Sequence, residues 1–290
     1  MNFFTSLRYA KERKALRAKL LHDPRTEAQA HALRKEIQGL PPLPKDGGDW
    51  IENLRELRNN IVNKDISGFL GWSVIGKTMF HNAKPIELET LKKSSRFIEY
   101  SKIIPENWIG DPEPYKFQKN SSGNRIHQIY NLHQIIETGF DFKSANSVFE
   151  FGGGYGSLSS LVFGLGFHGT YTIFDFAEFN ALQRYYLSLA GVLPAKKINF
   201  VSDFGKIARQ SPDLFIATWS LSESPLDVRE KVLSSLESPK NFLIAFQNEF
   251  AGIDNVVYFK KFTEDRPGYE WSQKKIPHLG ENFYLIGRKK

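Results

Sequence analysis

Residues 147–159 read Ser-Val-Phe-Glu-Phe-Gly-Gly-Gly-Tyr-Gly-Ser-Leu-Ser, and this stretch decides the fold class. Its first part, 148–151, is a short apolar run typical of a buried strand, and 157–165 has the character of a helix. The glycines between them predict a tight turn from the strand into the helix N-terminus. In open α/β sheets, ligands bind beside turns of this kind.

The same alternation of strand and helix continues to residue 290. Short apolar runs predict strands over 170–174, 198–201, 214–218 and 241–247, and amphipathic spacing predicts helices over 178–190 and 224–236. Ser224 and Pro225 are expected to cap and open the second of these helices. Residues 270–275 and 282–287 are predicted to form an antiparallel pair. Residues 141–290 are therefore predicted to form a Rossmann-like, doubly wound, mostly parallel α/β sheet with a terminal antiparallel strand.

Upstream of residue 141 the pattern is mainly helical. Residues 46–140 are predicted to form a helical cap that selects the substrate, with helices over 50–62, 85–100 and 124–138. Residues 1–45 are predicted to form a basic helical hairpin and a linker. The hairpin spans 5–38, breaks at 22–24 and has Thr26 as the expected cap of its second helix. The linker, residues 38–48, is rich in Pro and Gly.

Composition excludes several classes of protein. The 290 residues include no cysteine, which excludes disulfides, thiolate metal sites and a cysteine nucleophile. No apolar run is long enough for a transmembrane helix, and the N-terminus lacks the pattern of a secretory signal. The expected location is the cytoplasm.

The net charge of +7 lies mostly in the predicted hairpin. Residues 1–40 hold nine Lys and Arg against four Asp and Glu, so the rest of the chain is close to neutral. A nucleic-acid partner is therefore not expected. The basic helices, with Phe3 and Phe4 as anchors, suit an anionic membrane surface or an acidic partner. The alternative is a solvated helix pair packed on the body or on a second subunit.

The glycine turn fits neither of two common nucleotide-binding patterns. A dinucleotide fingerprint starting at Gly152 or Gly154 needs a third glycine at 157 or 159, and both positions are serine. A phosphate-binding P-loop needs Gly-Lys-Ser or Gly-Lys-Thr, which does not follow. Neither a dinucleotide fingerprint nor a P-loop is therefore predicted.

The spacing of Glu150 ahead of Gly152, Gly154 and Gly156 resembles motif I of class I S-adenosylmethionine-dependent methyltransferases. The resemblance implies S-adenosyl-L-methionine as the cofactor, with the glycines close to its methionine part and Glu150 attracting its ammonium. It further implies that Asp175 holds the ribose hydroxyls and that Asp203 lies near the adenine amino group. Phe176 or Phe204 would cover the adenine face, although Phe176 also suits the core. The complete candidate set is Glu150, Gly152, Gly153, Gly154, Tyr155, Gly156, Asp175, Phe176, Asp203, Phe204, Trp219 and Ser220.

Four stretches, 124–133, 149–158, 173–187 and 213–223, are similar to a family of sugar O-methyltransferases, and the likeness covers roughly residues 65–290. It implies transfer of a methyl group to a hydroxyl of a saccharide or glycan. The chain departs from that family where Asp175 is followed by Phe-Ala instead of Leu-Pro, and where Ser224 follows Glu223 instead of Met. Two alternatives stay open: a different small-molecule or protein acceptor, and a non-catalytic scaffold.

Three residues are candidates for the base that removes the hydroxyl proton: Glu223, Glu249 and His278. Each is expected just after a strand of the sheet or in the turn before the last strand. No metal site is predicted. His127 and His133 are six residues apart on one predicted helix, so they do not share a face as two metal ligands would. Glu249 and Asp254 are carboxylates that could bind a divalent cation, but the sequence gives no strong support for such a site.

Overall fold

The computed structural model describes residues 3–45, 48–207, 209 and 211–290, with side chains from Leu7 onward. Asp46 and Gly47 of the predicted linker lie outside the described residues, as do the side chains of Phe3 and Phe4. Contacts group the chain into two units that interleave in sequence. We call residues 1–130, 154–165 and 177–196 the helical unit, and residues 131–153, 166–176 and 197–290 the sheet unit.

The helical unit contains most of the helices. They are α1 (Phe3–Leu21), α2 (Pro24–Gly39), α3 (Gly48–Asn63), α4 (Ser73–Thr78), α5 (Pro85–Lys93), α6 (Phe97–Ile103), the first part of α7 (Gly123–Ile136), α8 (Ser157–Gly164) and α9 (Ala177–Leu189). A 3-10 turn spans Ile66–Gly71, and a small hairpin joins β1 (Pro114–Tyr115) to β2 (Gln118–Ser122). The segment predicted as a helical hairpin contains the two helices α1 and α2.

Within the helical unit, α2 packs against α3 and α9 through Ala30, Leu33 and Ile37, which are all buried. Two ion pairs join α9 to the other helices: Arg58 of α3 binds Glu178 of α9 at 2.6 Å, and Arg184 of α9 binds Glu36 of α2. The cap of α2 is Asp23, whose carboxylate accepts from the Arg25 N–H, so the prediction of Thr26 was wrong. Pro24 takes the first helical position, and this places the cap one residue before it.

The predicted single helix over 85–100 is wrong, because the chain breaks between α5 and α6. Ser94 has an extended backbone with ψ of 142°, and its Oγ accepts from the Arg96 N–H at 3.1 Å. Serine competes for backbone hydrogen bonds in this way and so ends helices locally.

The sheet unit is built on seven strands: β3 (Ser147–Phe151), β4 (Thr170–Phe174), β5 (Ile198–Val201), β6 (Leu214–Thr218), β7 (Asn241–Gln247), β10 (Tyr269–Lys275) and β11 (Asn282–Lys289). Their order is β10-β11-β7-β6-β3-β4-β5. Strands β3 to β7 pair in parallel, and β11 joins β7 and β10 in antiparallel fashion. This is a doubly wound arrangement, so the predicted fold class is confirmed.

One face of the sheet is covered by α10 (Leu226–Ser235) and α11 (Asn255–Glu264). Alternate residues of the strands form the core there, including Phe149, Phe215 and Phe242, with Val232 from α10 and Phe259 from α11. Because successive strand residues point to opposite faces, this alternation fixes the register of each strand against the helices.

Two details of this unit differ from the predictions. The helix predicted from Ser224 starts at Leu226 with Pro225 in the capping position, and Ser224 Oγ instead donates to the Ser220 carbonyl at 2.8 Å. Helix α11 and the short hairpin of β8 (Glu249–Phe250) and β9 (Ile253–Asp254) were not predicted. No helix in the described part of the chain is both long and apolar enough to cross a bilayer.

Candidate functional site

The carboxyl ends of the parallel strands meet at one edge of the sheet unit, which we call the carboxyl edge. The strand order reverses between β3 and β6, and in such sheets the crevice beside the reversal binds ligands. Residues that the sequence singled out lie in the segments at this edge: Glu150, Gly152, Gly153, Asp175, Phe176, Asp203, Phe204, Trp219, Ser220, Glu223, Glu249 and His278. The His278 turn belongs here because Asn282 pairs with Gln247, the last residue of β7.

The turn after β3 depends on glycine at position 152. Gly152 has a φ of +79°, a conformation that L side chains rarely adopt. A Cβ at this position would also run into the side chain of Ser220, whose Oγ donates to the Phe151 carbonyl. These contacts hold the backbone after β3 against the segment that follows β6. Gly153 is the next residue of the turn.

The second half of the glycine turn, Gly154 to Gly156, lies in the helical unit. Gly154 has a φ of +57°, and a Cβ there would approach the Met79 side chain to 3.2 Å. Its carbonyl accepts from Gln183 Nε2 at 3.0 Å. Gly156 is the N-cap of α8, and no described side chain caps this helix, so its first N–H groups suit an anionic ligand group.

Tyr155 is a structural member of the turn. Its ring is buried, and its hydroxyl accepts from Asn124 Nδ2 at 2.9 Å. Burial raises the pKa of Tyr155 well above its usual value, so the phenol stays neutral. This position holds the turn in place through its ring and hydroxyl.

Glu150 is the most perturbed acid of the carboxyl edge. Its side chain is buried, and Tyr171 donates its hydroxyl proton to Glu150 Oε2 at 2.9 Å. Burial raises the pKa of Glu150 to about 8; the nearby Asp175 adds to the rise and the Tyr171 bond opposes it. A cation brought to this carboxyl would favour its ionised form.

The ends of β4 and β5 carry the next acids and two phenylalanines. Asp175 is buried and accepts from the Phe176 N–H at 2.8 Å, while the Phe176 ring is 43% exposed and therefore outside the core. Asp203 is exposed, and its carboxylate accepts from the Gly205 N–H at 2.9 Å. The half-buried Phe204 ring packs on Phe174 at a centroid distance of 4.7 Å.

Trp219 follows β6 in a strained conformation with a φ of +66°. Its N–H donates to the Ala245 carbonyl at 2.7 Å, and its indole Nε1–H donates to Asn282 Oδ1 at 2.7 Å. The half-buried ring is thus fixed by both β7 and β11. Strain maintained by surrounding bonds is common at ligand sites.

The three candidate bases differ in their surroundings. Glu223 is half-buried, and burial raises its pKa to about 7. Glu249 is exposed on the short strand β8, and His278 is half-buried in the turn Pro277–Leu279. Within the described residues, no three His, Asp or Glu side chains are grouped as ligands for a metal ion.

Sequence patterns did not indicate two side chains that shape this edge. Tyr171 lies in an apolar strand, where a tyrosine is expected in the core, and Arg229 occupies an ordinary charged position of α10. Arg229 is nevertheless fully buried. No local pattern identifies such residues, because their roles depend on contacts between separate elements.

No protein-family model matches this sequence, and no curated protein resembles it closely enough to be matched. Solved structures resemble it at low identity. An O-methyltransferase family protein from Burkholderia thailandensis is 15% identical, with 58% of this chain and 60% of that chain covered and a TM-score of 0.43. A ribosomal protein L11 methylase from Lactobacillus delbrueckii subsp. bulgaricus is also 15% identical, covering 57% and 79%, with a TM-score of 0.41.

A third solved structure, the precorrin-6y C5,15-methyltransferase from Geobacter metallireducens, is 15% identical over 61% of this chain and 93% of its own, with a TM-score of 0.40.

Proposed function

We propose that this chain is an S-adenosylmethionine-dependent methyltransferase that transfers a methyl group to a sugar hydroxyl. The observation that carries the proposal is the turn after β3. Gly152 lies so close to the Ser220 side chain that a Cβ would not fit, and the buried Glu150 precedes it by two residues. A turn of this shape lets a ligand approach the backbone at the point where the strand order reverses.

The groups at the carboxyl edge suit the chemistry of this cofactor, which carries an ammonium, a carboxylate, a ribose diol, an adenine and a sulfonium. Glu150 would bind the ammonium and Asp175 the two ribose hydroxyls. Asp203 would accept from the adenine amino group, and the exposed Phe176 ring or Phe204 would stack on the base.

When bound, the cofactor supplies an electrophilic methyl group on its sulfonium. The fixed Trp219 ring would offer its electron-rich face to that positive charge. Glu223 would accept the hydroxyl proton, because a base is most effective when its pKa lies near the working pH. Glu249 and His278 are the alternatives for this role. Orientation of the two reacting groups would supply most of the rate acceleration.

The sugar acceptor is the most specific part of the proposal. It is supported by the likeness of residues 173–187 and 213–223 to sugar O-methyltransferases. A small metabolite or a protein side chain is the competing acceptor. The reaction also requires that the chain bind the cofactor, which a non-catalytic scaffold would not.

Calorimetric titration with S-adenosylhomocysteine tests cofactor use. We expect saturable binding by the intact chain, and no heat of binding at millimolar ligand would refute the methyltransferase assignment. A panel of nucleotide sugars and free glycans, assayed for S-adenosylhomocysteine release, then tests the acceptor. Turnover with a non-sugar acceptor alone would replace the sugar part of the proposal and retain the rest.

A further inference from the structure

Arg229 on α10 is fully buried, and it holds the backbone on both sides of Glu223. Its Nε donates to the Ser224 carbonyl at 2.8 Å, and its Nη2 donates to the Ser222 carbonyl at 2.7 Å. The guanidinium is planar and its donors are rigidly spaced. The two carbonyls that flank Glu223 are therefore held at a fixed separation by one side chain.

The same guanidinium reaches the segment that follows β7. Its Nη1 donates to Asn255 Oδ1 at 2.8 Å, and the Asn255 N–H donates to the Asn248 carbonyl at 2.8 Å. Asn248 and Asn255 are the two ends of the hairpin that carries Glu249. One arginine thus joins the segments that bear two of the three candidate bases.

The charge of this arginine has no acidic partner among the described residues. Its neighbours are backbone carbonyls, an amide oxygen and the Tyr258 ring, which lies 4.5 Å from the guanidinium carbon. Burial lowers the pKa of Arg229, and the proximity of Tyr258 opposes this change. A buried cation is costly, and an apolar side chain of similar size would often serve packing as well. The value of the arginine at this position therefore lies in its hydrogen-bond geometry.

We propose that Arg229 is a positioning residue that fixes the Glu223 turn in the geometry needed for removal of the acceptor proton. The inference rests on the proposed methyltransferase function. Glu223 is half-buried in this turn, and Arg229 binds the carbonyls on each side of it. Lysine at this position keeps a positive charge but has one nitrogen in place of the planar fork, so it cannot bind all three acceptors with the same geometry.

The test compares Arg229→Lys with a matched control, Arg266→Lys. Arg266 is half-buried, lies over an aromatic ring at 3.9 Å and donates to a backbone carbonyl, that of Phe262, at 3.1 Å. It follows α11 and binds neither the Glu223 turn nor Asn255. Both variants replace a guanidinium that lies over an aromatic ring and binds a backbone carbonyl, so Arg266→Lys reports the effect of losing such a group away from Glu223.

The readout is the titration of the Glu223 carboxyl, followed by carbon-13 NMR of glutamate-labelled protein and assigned with Glu223→Gln. We expect the midpoint in the unchanged protein near pH 7, and a fall of about one unit or more towards 4.5 in Arg229→Lys as water enters the turn. Arg266→Lys should leave it in place. An unmoved midpoint in folded Arg229→Lys overturns the proposal. If that variant does not fold, Arg229→Met, which removes the buried charge, takes its place.

Kinetics then separate this inference from the function on which it rests. With any acceptor that the unchanged protein methylates, Arg229→Lys should lower kcat about tenfold or more, since proton removal contributes at least that much. Its affinity for S-adenosylhomocysteine should stay close to that of Arg266→Lys. Normal cofactor binding with unchanged kcat in Arg229→Lys defeats only the role of Arg229. Absence of cofactor binding in the unchanged protein defeats the methyltransferase proposal itself, and the positioning role with it.

Discussion

The two edges of the sheet unit shift the pKa values of their acids in opposite directions. At the amino edge, where β6 and β7 begin, Asp213 Oδ2 accepts from the backbone N–H groups of Asn146 and Ser147 at 2.6 and 3.1 Å. Its Oδ1 binds Lys240 Nζ at 2.7 Å. Burial alone would raise the pKa of Asp213, but these three bonds outweigh it and hold the pKa below its ordinary value.

At the carboxyl edge, Glu150 has one hydrogen-bond donor, Tyr171, and the Glu223 carboxyl has none among the described residues. Burial therefore prevails, and it raises the pKa of these acids to about 8 and about 7. At the amino edge the fold keeps Asp213 ionised and compensates its charge, whereas at the carboxyl edge it leaves Glu150 and Glu223 able to change protonation near neutral pH. Acids of the second kind are typical of functional sites.

The largest effect is expected for Glu150→Gln. The folded pKa of about 8 exceeds the ordinary 4.5, so the folded state binds the extra proton. Its stabilisation is complete below pH 4.5 and is lost as the pH rises towards 8. Without cofactor, the variant should be more stable than the unchanged protein at pH 9 by about 3 kcal/mol or more. Urea unfolding between pH 5 and 9 measures this, and parallel curves for the two proteins would contradict it.

Asp213→Ala should show the opposite pH dependence. The folded pKa is depressed, so the stabilisation is present above the ordinary value of 3.8 and is lost as the pH falls through the folded pKa. At pH 7 the loss should be about 2 to 3 kcal/mol, because two backbone N–H groups lose their acceptor. Asp227→Ala, which removes an exposed pair with Lys231, is the control. Asp213→Ala should leave cofactor affinity unchanged. A change in that affinity would contradict the assignment of cofactor binding to the carboxyl edge alone.

Asp175→Ala tests the binding role of the carboxyl edge. Loss of hydrogen bonds from ribose hydroxyls to a charged group should weaken S-adenosylhomocysteine binding by about 1 to 3 kcal/mol. Calorimetry measures the change, with Asp213→Ala as the reference for an acid that does not face the ligand. An unchanged affinity would remove Asp175 from the proposed site.

The smallest effect is expected for Lys240→Gln. The lysine side chain is 63% exposed, so its ion pair with Asp213 should contribute less than about 1 kcal/mol. Thermal unfolding of this variant beside Asp213→Ala shows whether the backbone donors or the lysine dominate at the amino edge. A loss equal to that of Asp213→Ala would assign the stabilisation to the ion pair.

Sequence patterns predicted β4, β5, β6 and β7 to the residue, because each is a short apolar run between turn residues. They failed for α11, where Val-Val-Tyr-Phe suits a strand as well as a helix. The helix forms because Asp254 accepts from the Val257 N–H and because Phe259 and Phe262 are buried on the sheet. Tertiary packing overrides weak propensities of this kind.

The acids of the candidate site were predictable for a topological reason, since every parallel strand delivers the residue after it to the same edge. Their protonation behaviour was not. The raised pKa of Glu150 depends on its burial beside Tyr171, and the burial of Glu223 depends on a turn held by Arg229. Such contacts join elements far apart in the chain, and periodicity carries no information about them.

The packing of α2 against α9 has a consequence for synthesis of the chain on the ribosome. Helix α2 is complete at Gly39, but its partner begins at Ala177. At about 5 to 20 residues per second, the partner emerges on the order of ten seconds later. During that interval the apolar face of Ala30, Leu33 and Ile37 has no α9 to cover it. The nascent helical unit therefore stays incomplete until α9 has been made, and this interval is when we expect a chaperone to be most needed.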